Sequence, residues 1–232
     1  MKLYIGNKNY SSWSMRAWVL MRQLNISFDE VALRLDFAAD SDFHRTVATV
    51  SPAGRVPVLV DAGLAVWDSL SIAEYLHEKF ADRGVWPREA RARARARSLC
   101  AEMHSGFTAL RSACPMNIEA SLPEVGQRIW SEQPAVRQDL ARIEQMWAEA
   151  LHDSGGSLLF GRFSAVDAFY APICSRLRTY GLPVSTTARD YIERVSALPA
   201  VMEWNDAARR EHDFLEDDEP YRQPPPKAAT PD

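Results

Sequence analysis

The sequence predicts a small α/β unit followed by a longer all-helical region, and three observations support this prediction. Short β-type runs alternate with helical patterns in the first 80 residues. Beyond residue 80 the β-type runs stop, and long helical patterns follow one another. The 10 glycines among the 232 residues make up about 4% of the chain, against an average of about 7%, which disfavours a turn-dense β protein.

The α/β unit contains four candidate strands. These lie at residues 3–5, 28–35, 58–60 and, more weakly, 64–67. Helical patterns cover residues 15–24 and 69–80, and residues 42–50 are compatible with a loop or a helix. The last two strands are nearly in contact through a short turn sequence. This order predicts a βαβ half followed by a hairpin and a closing helix.

The helical region contains two strong signals. Apolar residues recur at steps of three and four across residues 136–151, which places them on one helical face, and two glycines end the pattern. Ser164 and Asp167 have the spacing of a capping box, so a buried helix is expected to begin there. Two shorter helices are expected near residues 186–198 and 200–211.

The composition shifts divide the chain into four parts. Residues 81–88 are turn-rich and resemble a linker, which gives an N-terminal domain at residues 1–80 and a helical C-terminal domain at residues 89–212. Residues 213–232 are rich in proline, and we expect an extended tail there that packs little.

Composition and charge exclude several classes of function. The net charge of −4 gives no attraction to phosphate backbones, so no nucleic-acid partner is expected. The sequence has no long apolar run of the kind that a signal peptide or a membrane anchor needs, so no membrane partner is expected. Three cysteines cannot form a disulfide framework. We therefore expect a cytoplasmic protein. The five histidines lack metal-ligand spacing, so no metal is expected. The cysteines are interpreted as small packing residues.

A serine-rich loop is the first of three features with chemical potential. Ser11, Ser12 and Ser14 lie between the first strand and the first helix. Serines at a helix start often accept hydrogen bonds from its free N–H groups, which would be a purely structural role. A hydroxyl at the positive end of a helix also suits an anion, so a binding role stays open.

The other two features adjoin the predicted strands. Arg55-Val56-Pro57 precedes the third strand, where a proline is tolerated and an X–Pro bond can be cis. Asp68 and Ser69 stand where the fourth strand gives way to a helix. They can cap that helix or interact with its dipole, and the N–H groups behind them can hold a carboxylate.

These features, in this order and followed by an all-helical half, resemble the cytosolic glutathione S-transferase family. The resemblance covers roughly residues 2–211 and implies a thioredoxin-like N-terminal domain and an all-α helical-bundle C-terminal domain. Residues 11–16, SSWSMR, resemble the zeta-class pattern Ser-Ser-Cys-Ser-x-Arg of serine-type members, bacterial ones included. The departure is Trp13, which stands where that pattern has cysteine and puts a specific isomerase assignment in doubt.

The resemblance implies a role for each matching residue. Ser11 takes the catalytic position and stabilises the glutathione thiolate, while the delta-class spacing would select Ser12 instead. Val56, before a cis Pro57, would pair through its backbone with the cysteinyl unit of glutathione, and Arg55 would lie near the glycyl carboxylate. Two further residues, Asp68 and Ser69, match the pair that holds the γ-glutamyl end.

The resemblance also implies a pocket for a small, mostly hydrophobic electrophile. Its expected lining residues are Trp13, Met103, His104 and Phe107, although the last three also suit a plain core. A homodimer and a role in detoxification are further implications. Two alternatives stay open, namely a non-catalytic glutathione-binding or scaffolding protein and a glutathione-dependent isomerase of the maleylacetoacetate-isomerase type.

A basic run at residues 88–97 opens the first long helix. Its arginines recur at steps of two, which spreads them over several helical faces, so solvated or ion-paired side chains are expected. The alternative is that one or two of them cross a dimer interface or attract anionic glutathione.

Overall fold

Four short strands form the sheet of the N-terminal unit. In the computed structural model, which describes residues 1–223, they are β1 (Lys2–Ile5), β2 (Asp29–Ala32), β3 (Val58–Asp61) and β4 (Leu64–Val66). The order across the sheet is β2-β1-β3-β4. Strand β1 runs parallel to β2 and antiparallel to β3, and β3 and β4 form a hairpin. The sheet is therefore the predicted βαβ half with a hairpin added.

Three helices complete this unit, and one of them is almost entirely buried. They are α1 (Ser12–Gln23), α2 (Asp42–Ala48) and α3 (Ser69–Lys79). Helix α1 packs against α3 and against two helices of the C-terminal region. Since α1 is covered on both sides, nine of its residues are buried, including Arg16.

The C-terminal region is helical throughout, as the sequence predicts. Its helices are α4 (Ala90–Ser105), α5 (Thr108–Ala113), α6 (Pro123–Glu132), α7 (Pro134–Ser154), α8 (Ala165–Tyr180), α9 (Thr186–Ser196) and α10 (Pro199–Glu211). Helix α8 is central, because it packs against α1, α4, α6 and α9. The predicted apolar face of residues 136–151 lies on α7 and is buried, and Gly155 ends α7 in the left-handed region with φ 60°.

The start of α8 is fixed by a buried carboxylate. Asp167 accepts hydrogen bonds from the Ser164 N–H at 3.0 Å, the Leu159 N–H at 3.2 Å and the Tyr191 hydroxyl at 3.1 Å. The first contact is the carboxylate half of the predicted capping box. Burial raises the pKa of Asp167 to about 6, although its three donors oppose that shift.

The segment after α10 packs against the protein, so the prediction of a tail that packs little is wrong for residues 213–223. Leu215 joins an apolar cluster with Tyr10 of the N-terminal unit, and the Tyr10 hydroxyl donates to Glu219 at 2.7 Å. The Tyr221 hydroxyl donates to the Ala113 carbonyl at 2.8 Å. In the sequence Pro220 lies between these anchors, and the run of three prolines begins only after them, at residue 224. Residues 224–232 of the predicted tail lie outside the described residues.

The basic run at the start of α4 is largely occupied by intramolecular contacts. Arg97 pairs with Glu74 at 2.6 Å, and Arg95 pairs with Glu149. Arg93 donates to two backbone carbonyls just before α4. These contacts agree with the prediction of solvated or ion-paired side chains.

Two further findings concern the whole described chain. Across residues 1–223, no helix has both the length and the apolar character needed to cross a membrane. Cys100, Cys114 and Cys174 are free and buried. Burial raises the pKa of each thiol, which fits a packing role.

Candidate active site

A cavity of about 830 Å³ lies where the N-terminal unit meets the helical region. Ligand pockets usually measure about 300–1,000 Å³, so this one has room for a small peptide and a second molecule. Most of the residues predicted from the sequence line it. They are Ser11, Ser12, Trp13, Arg55, Val56, Pro57, Asp68 and His104.

The Ser11 hydroxyl is not a helix cap. Ser11 is the N-cap residue of α1, yet its side chain accepts no N–H from the helix. Its hydroxyl donates instead to Ser14 Oγ at 2.7 Å, and Ser14 Oγ accepts from the Gly6 N–H at 3.1 Å. The structural interpretation of these serines as caps therefore fails for Ser11.

Ser12 contacts a buried guanidinium. Arg176 Nη2 donates to Ser12 Oγ at 3.2 Å, and Arg176 Nη1 donates to the carbonyls of Cys114 and Arg111. Because the Ser12 oxygen accepts this bond, its own proton stays available for another acceptor. Burial, reinforced by repulsion from Arg111, lowers the pKa of Arg176 to about 10, so it stays charged at neutral pH.

A second guanidinium, that of Arg16, contacts the serine loop through the Trp13 ring. Arg16 is fully buried, and within residues 1–223 none of its three side-chain nitrogens has a hydrogen-bond partner. Its guanidinium lies over the rings of Trp13 at 4.2 Å and Phe169 at 5.2 Å, which are cation–π contacts. Burial, followed by repulsion from Arg111 and Arg176, lowers the pKa of Arg16 to about 9, which still leaves it cationic at neutral pH.

Trp13 is held between charged groups. The Arg16 guanidinium lies 4.2 Å from its ring centroid and that of Arg111 5.0 Å. The His104 ring meets it edge-on, with centroids 4.9 Å apart. Trp13 thus forms a fixed wall of the cavity beside the serines.

The loop before β3 has the expected geometry. The Val56–Pro57 peptide bond is cis, and both residues line the cavity next to Arg55. Proline stands immediately before the strand, where it removes no ladder hydrogen bond.

Asp68 connects α3 to the helical region. Its Oδ1 accepts from the Leu70 N–H at 2.9 Å and so caps α3, while Oδ2 lies 3.2 Å from His104 Nε2. Burial lowers the pKa of His104, and the nearby Asp68 carboxylate opposes that shift. Ser69 is fully buried behind Asp68 and is not a lining residue, but within the described chain its hydroxyl has no partner.

Two residues expected in the electrophile pocket do not line the cavity. Met103 lies on the buried face of α4, where it packs with Leu99 in the core. One residue further on, the helix has turned by about 100°, which brings His104 to the cavity instead. Phe107 is 7% exposed and also belongs to the core cluster.

The structure adds lining residues that the sequence did not single out. Arg111, Arg176 and Asp218 are the charged ones. Arg176 comes two residues after the apolar run 168–174 of α8, and a charge so close to a buried run is a signal that could have pointed to it. Arg111 and Asp218 have no such signal, because neither belongs to a local motif.

Comparison with known proteins identifies the family. The model of the glutathione S-transferase N-terminal domain matches residues 10–79, and that of the C-terminal domain matches residues 88–207. The chain belongs to the glutathione S-transferase family. This transferase therefore carries both domains of its family, in the expected order.

Relatives of this transferase include zeta-type proteins. It is 29% identical over 226 residues to a maleylacetoacetate isomerase of Pseudomonas aeruginosa, a match covering 95% of this chain and 99% of that one. It is 31% identical over 94 residues to glutathione S-transferase Z1 of Arabidopsis thaliana, covering 40% of this chain and 41% of the relative.

Solved structures share the fold. A glutathione transferase homolog from Burkholderia, solved with bound glutathione, superposes with a TM-score of 0.65 at 24% identity. The superposition covers 90% of this chain and 97% of that one. At this identity the likeness shows a common fold.

Proposed function

We propose that this transferase binds glutathione in the cavity between its two domains and activates the thiol as a thiolate for attack on a small electrophile. One observation carries the proposal. The serine loop, the cis Val56–Pro57 step and Asp68, which lie far apart in the sequence, line one cavity.

The charges of the cavity suit glutathione. The tripeptide carries two carboxylates and one ammonium group, and a binding site needs a partner for each. Asp68 supplies a carboxylate for the ammonium group, and Arg55 supplies a cation for the glycyl carboxylate. The N-terminus of α3, which begins at Ser69, supplies an anion site for the other carboxylate. The backbone of Val56, which lines the cavity, fits the remaining polar groups.

The free energy required for thiolate activation is modest. A free cysteine thiol, with a pKa of about 8.5, is about 3% ionised at pH 7, and lowering the pKa by about two units raises that fraction to about 75%. Two units correspond to about 2.7 kcal/mol. A hydrogen bond to a charged group contributes about 1.5–3 kcal/mol, so one serine hydroxyl suffices, with the start of α1 and the buried arginines adding to it.

Ser11 is the first candidate for the hydroxyl that donates to the sulfur, because it occupies the catalytic position of the zeta-class pattern. Rotating its O–H toward the thiolate leaves Ser14 free to donate to Ser11 Oγ, while Gly6 still donates to Ser14. Ser12 is the second candidate, since its contact with Arg176 makes its hydroxyl the more acidic one.

The thiolate can start conjugation, isomerisation, reductive dehalogenation or peroxide reduction. In conjugation the sulfur forms a bond to carbon and the leaving group departs with the electron pair. In isomerisation the sulfur adds to a double bond, the adduct rotates, and elimination regenerates glutathione. The Pseudomonas relative is named as a maleylacetoacetate isomerase, and the match covers nearly its whole length, which supports isomerisation. Trp13, which stands where the zeta-class pattern has cysteine, counts against isomerisation.

Asp68→Asn tests the binding site. Asparagine caps a helix as well as aspartate does, so α3 keeps its cap while the partner of the glutathione ammonium loses its charge. We expect glutathione to bind at least about tenfold more weakly by calorimetry, because a charge-assisted bond contributes about 1.5–3 kcal/mol. Asp206→Asn, which removes an exposed carboxylate of α10, is the matched control.

Turnover separates an enzyme from a scaffold. A panel with an aryl halide, an alkyl halide, a hydroperoxide and a cis-enone should show glutathione-dependent turnover with at least one member. Glutathione binding without turnover across the panel would favour the non-catalytic alternative, and unchanged binding in Asp68→Asn would contradict the proposed site.

A further inference from the structure

The residue before the serine loop is held by the segment that follows α10, residues 213–222, which we call the terminal segment. Tyr10 directly precedes Ser11, and its hydroxyl donates to Glu219 Oε1 at 2.7 Å across 209 positions of sequence. The Tyr10 ring is buried and packs with Leu215 in the smaller apolar cluster. The terminal segment therefore contacts the start of the serine loop through both the ring and the hydroxyl of one residue.

Glu219 is a buried and fixed acceptor. It is 6% exposed, and Arg222 donates to both of its oxygens, to Oε2 through Nε at 2.8 Å and to Oε1 through Nη2. Arg222 Nη2 also lies 3.4 Å from Glu119. Although burial opposes the shift, the hydrogen bonds from Arg222 and Tyr10 lower the pKa of Glu219, so its carboxylate is charged at neutral pH. A carboxylate held at both oxygens keeps the Tyr10 hydroxyl in one place.

The backbone of Tyr10 transmits this position to the serines. Its carbonyl accepts from the Ser12 N–H at 2.8 Å. The N–H groups of Tyr10 and Ser11 both donate to the Asn7 carbonyl, at 3.2 and 2.8 Å. Since these bonds tie Tyr10 to the first residue of α1, a displaced Tyr10 would displace the serine hydroxyls.

The Tyr10 hydroxyl is itself not a donor to the thiolate, although Tyr10 lines the cavity. A phenol has one proton, and the short bond to Glu219 uses it. Burial and that bond raise the pKa of Tyr10 to about 12, so the proton stays on Tyr10 at neutral pH. What this hydroxyl does is hold the loop.

We propose that Glu219 is a positioning residue of this transferase, which fixes the serine loop through the Tyr10 hydroxyl so that a serine can donate to the thiolate of glutathione. This inference rests on the proposed glutathione function. A hydrogen bond weakens steeply as its angle and distance depart from the optimum, so a small shift of the loop is enough to lose it. The residues proposed to hold the rest of glutathione, Arg55, Val56 and Asp68, lie outside the loop.

Two variants break the contact from opposite ends. Tyr10→Phe removes the hydroxyl and keeps the ring, and Glu219→Ala removes the acceptor. Each should raise the thiol pKa of bound glutathione, and Tyr10→Phe should raise it by about one unit, which lowers the ratio of thiolate to thiol about tenfold. Ultraviolet difference spectra against pH measure this pKa. Loss of the Glu219 charge would by itself lower the thiol pKa, so a rise in Glu219→Ala reports a displaced loop.

Binding of S-methylglutathione separates positioning of the hydroxyl from a damaged site. This ligand has no ionisable thiol. Its dissociation constant, measured by calorimetry on the full chain, should stay within about twofold of the wild-type value in both variants, because the residues that hold it are independent of the contact.

Three further variants assign the effect to this contact. Glu219→Gln keeps an acceptor for the Tyr10 hydroxyl and should restore a thiol pKa no higher than that of wild type. Tyr221→Phe is the matched control, because it removes another anchor of the terminal segment, the bond to the Ala113 carbonyl at 2.8 Å, and should leave the thiol pKa unchanged. The double variant of Tyr10→Phe and Glu219→Ala should exceed neither single effect, since both remove one interaction.

The outcomes separate this inference from the proposed function. An unchanged thiol pKa in Tyr10→Phe, or an equal rise in Tyr221→Phe, would overturn the positioning role and leave the glutathione site in place. If Glu219→Ala does not fold, Tyr10→Phe decides alone. A wild-type complex whose thiol titrates like free glutathione would overturn the proposed function, and this inference with it.

Discussion

At the scale of single residues, the unusual feature of the site is a buried cation with no partner. Arg16 stacks on Trp13 and Phe169 but, within residues 1–223, donates no side-chain hydrogen bond. Such a group destabilises the unliganded fold, since burial removes its water. Its guanidinium lies against Trp13, which lines the cavity, so its positive charge would lower the free energy of a thiolate bound there.

Replacing Arg16 with methionine should separate these two effects. We expect Arg16→Met to raise the pKa of bound glutathione by about one unit, since charges about 10 Å apart interact by about 1.7 kcal/mol at an effective dielectric constant of about 20. The free energy of unfolding should stay the same or rise, because an unpaired charge is lost. Thiolate absorbance against pH and urea denaturation measure the two quantities. A lower stability with an unchanged thiol pKa would contradict this role.

The candidate site was predictable where its residues are close in sequence. The serine loop, Pro57 and Asp68 each belong to a short pattern at the end of a strand or the start of a helix, and the structure brings them to one cavity. Arg111 and Arg176 were missed because they come from different helices, and only the packing of α5 against its neighbours makes them meet. The prediction that Met103 lines the cavity is wrong, because Met103 lies on the buried face of α4, one residue before His104.

At the scale of elements, α8 determines how the two domains meet. It packs against α1 of the N-terminal unit and against α4, α6 and α9 of its own. Its start depends on Asp167, which accepts hydrogen bonds from two N–H groups of the preceding loop and from the Tyr191 hydroxyl of α9. A displacement of this start would move Arg176, since that residue lies on the same helix.

Asp167→Ala should therefore be strongly destabilising. It leaves two backbone N–H groups and the Tyr191 hydroxyl buried without acceptors, and each such group costs about 1–3 kcal/mol. We expect the free energy of unfolding at pH 7 to fall by about 3 kcal/mol or more in urea denaturation. Asp167→Asn, which keeps the volume and one acceptor, should lose less. A loss below about 1 kcal/mol in the alanine variant would argue against this account.

The strands and the longer helices followed closely from the sequence, whereas the short helices α5 and α6 were not predicted. The main error has a physical reason. Hydrophobic periodicity indicated the long helices because a helix that packs on one face must repeat its apolar residues there. The same argument fails for residues 213–223, where isolated side chains such as Leu215 and Tyr221 anchor an irregular segment without any period. Composition alone predicted a tail that packs little, but these tertiary contacts hold residues 213–223 against the protein.

At the scale of the whole molecule, the helical domain holds the loop that leads to the serines. Glu211 of α10 accepts from the N–H groups of Lys8 at 2.7 Å and Asn9 at 3.1 Å. Asn9 Oδ1 in turn accepts from the N–H groups of Ile118 and Glu119, both at 2.8 Å. The position of Ser11 is thus fixed by both domains, which explains why an active site built on the N-terminal unit needs the helical one.

We expect the chain to form a homodimer, as the family resemblance implies. Leu64 on the edge strand β4 is 53% exposed, and an exposed apolar side chain of this kind suits the centre of an interface. Sedimentation at micromolar concentration should give twice the chain mass of 26.1 kDa, and Leu64→Lys should shift the mass toward one chain. Met202→Lys, at a similarly exposed apolar position on α10, should leave the dimer intact. A wild-type monomer would contradict the expectation.

The central claim is that the serine loop holds glutathione as a thiolate, and the ultraviolet difference spectrum of bound glutathione against pH tests it most directly. Wild type should show a thiol pKa about two units below the free value of about 8.5. Ser11→Ala should raise it, and an equal rise in Ser12→Ala alone would assign the hydroxyl to the second candidate. A wild-type complex that titrates like free glutathione would contradict the claim.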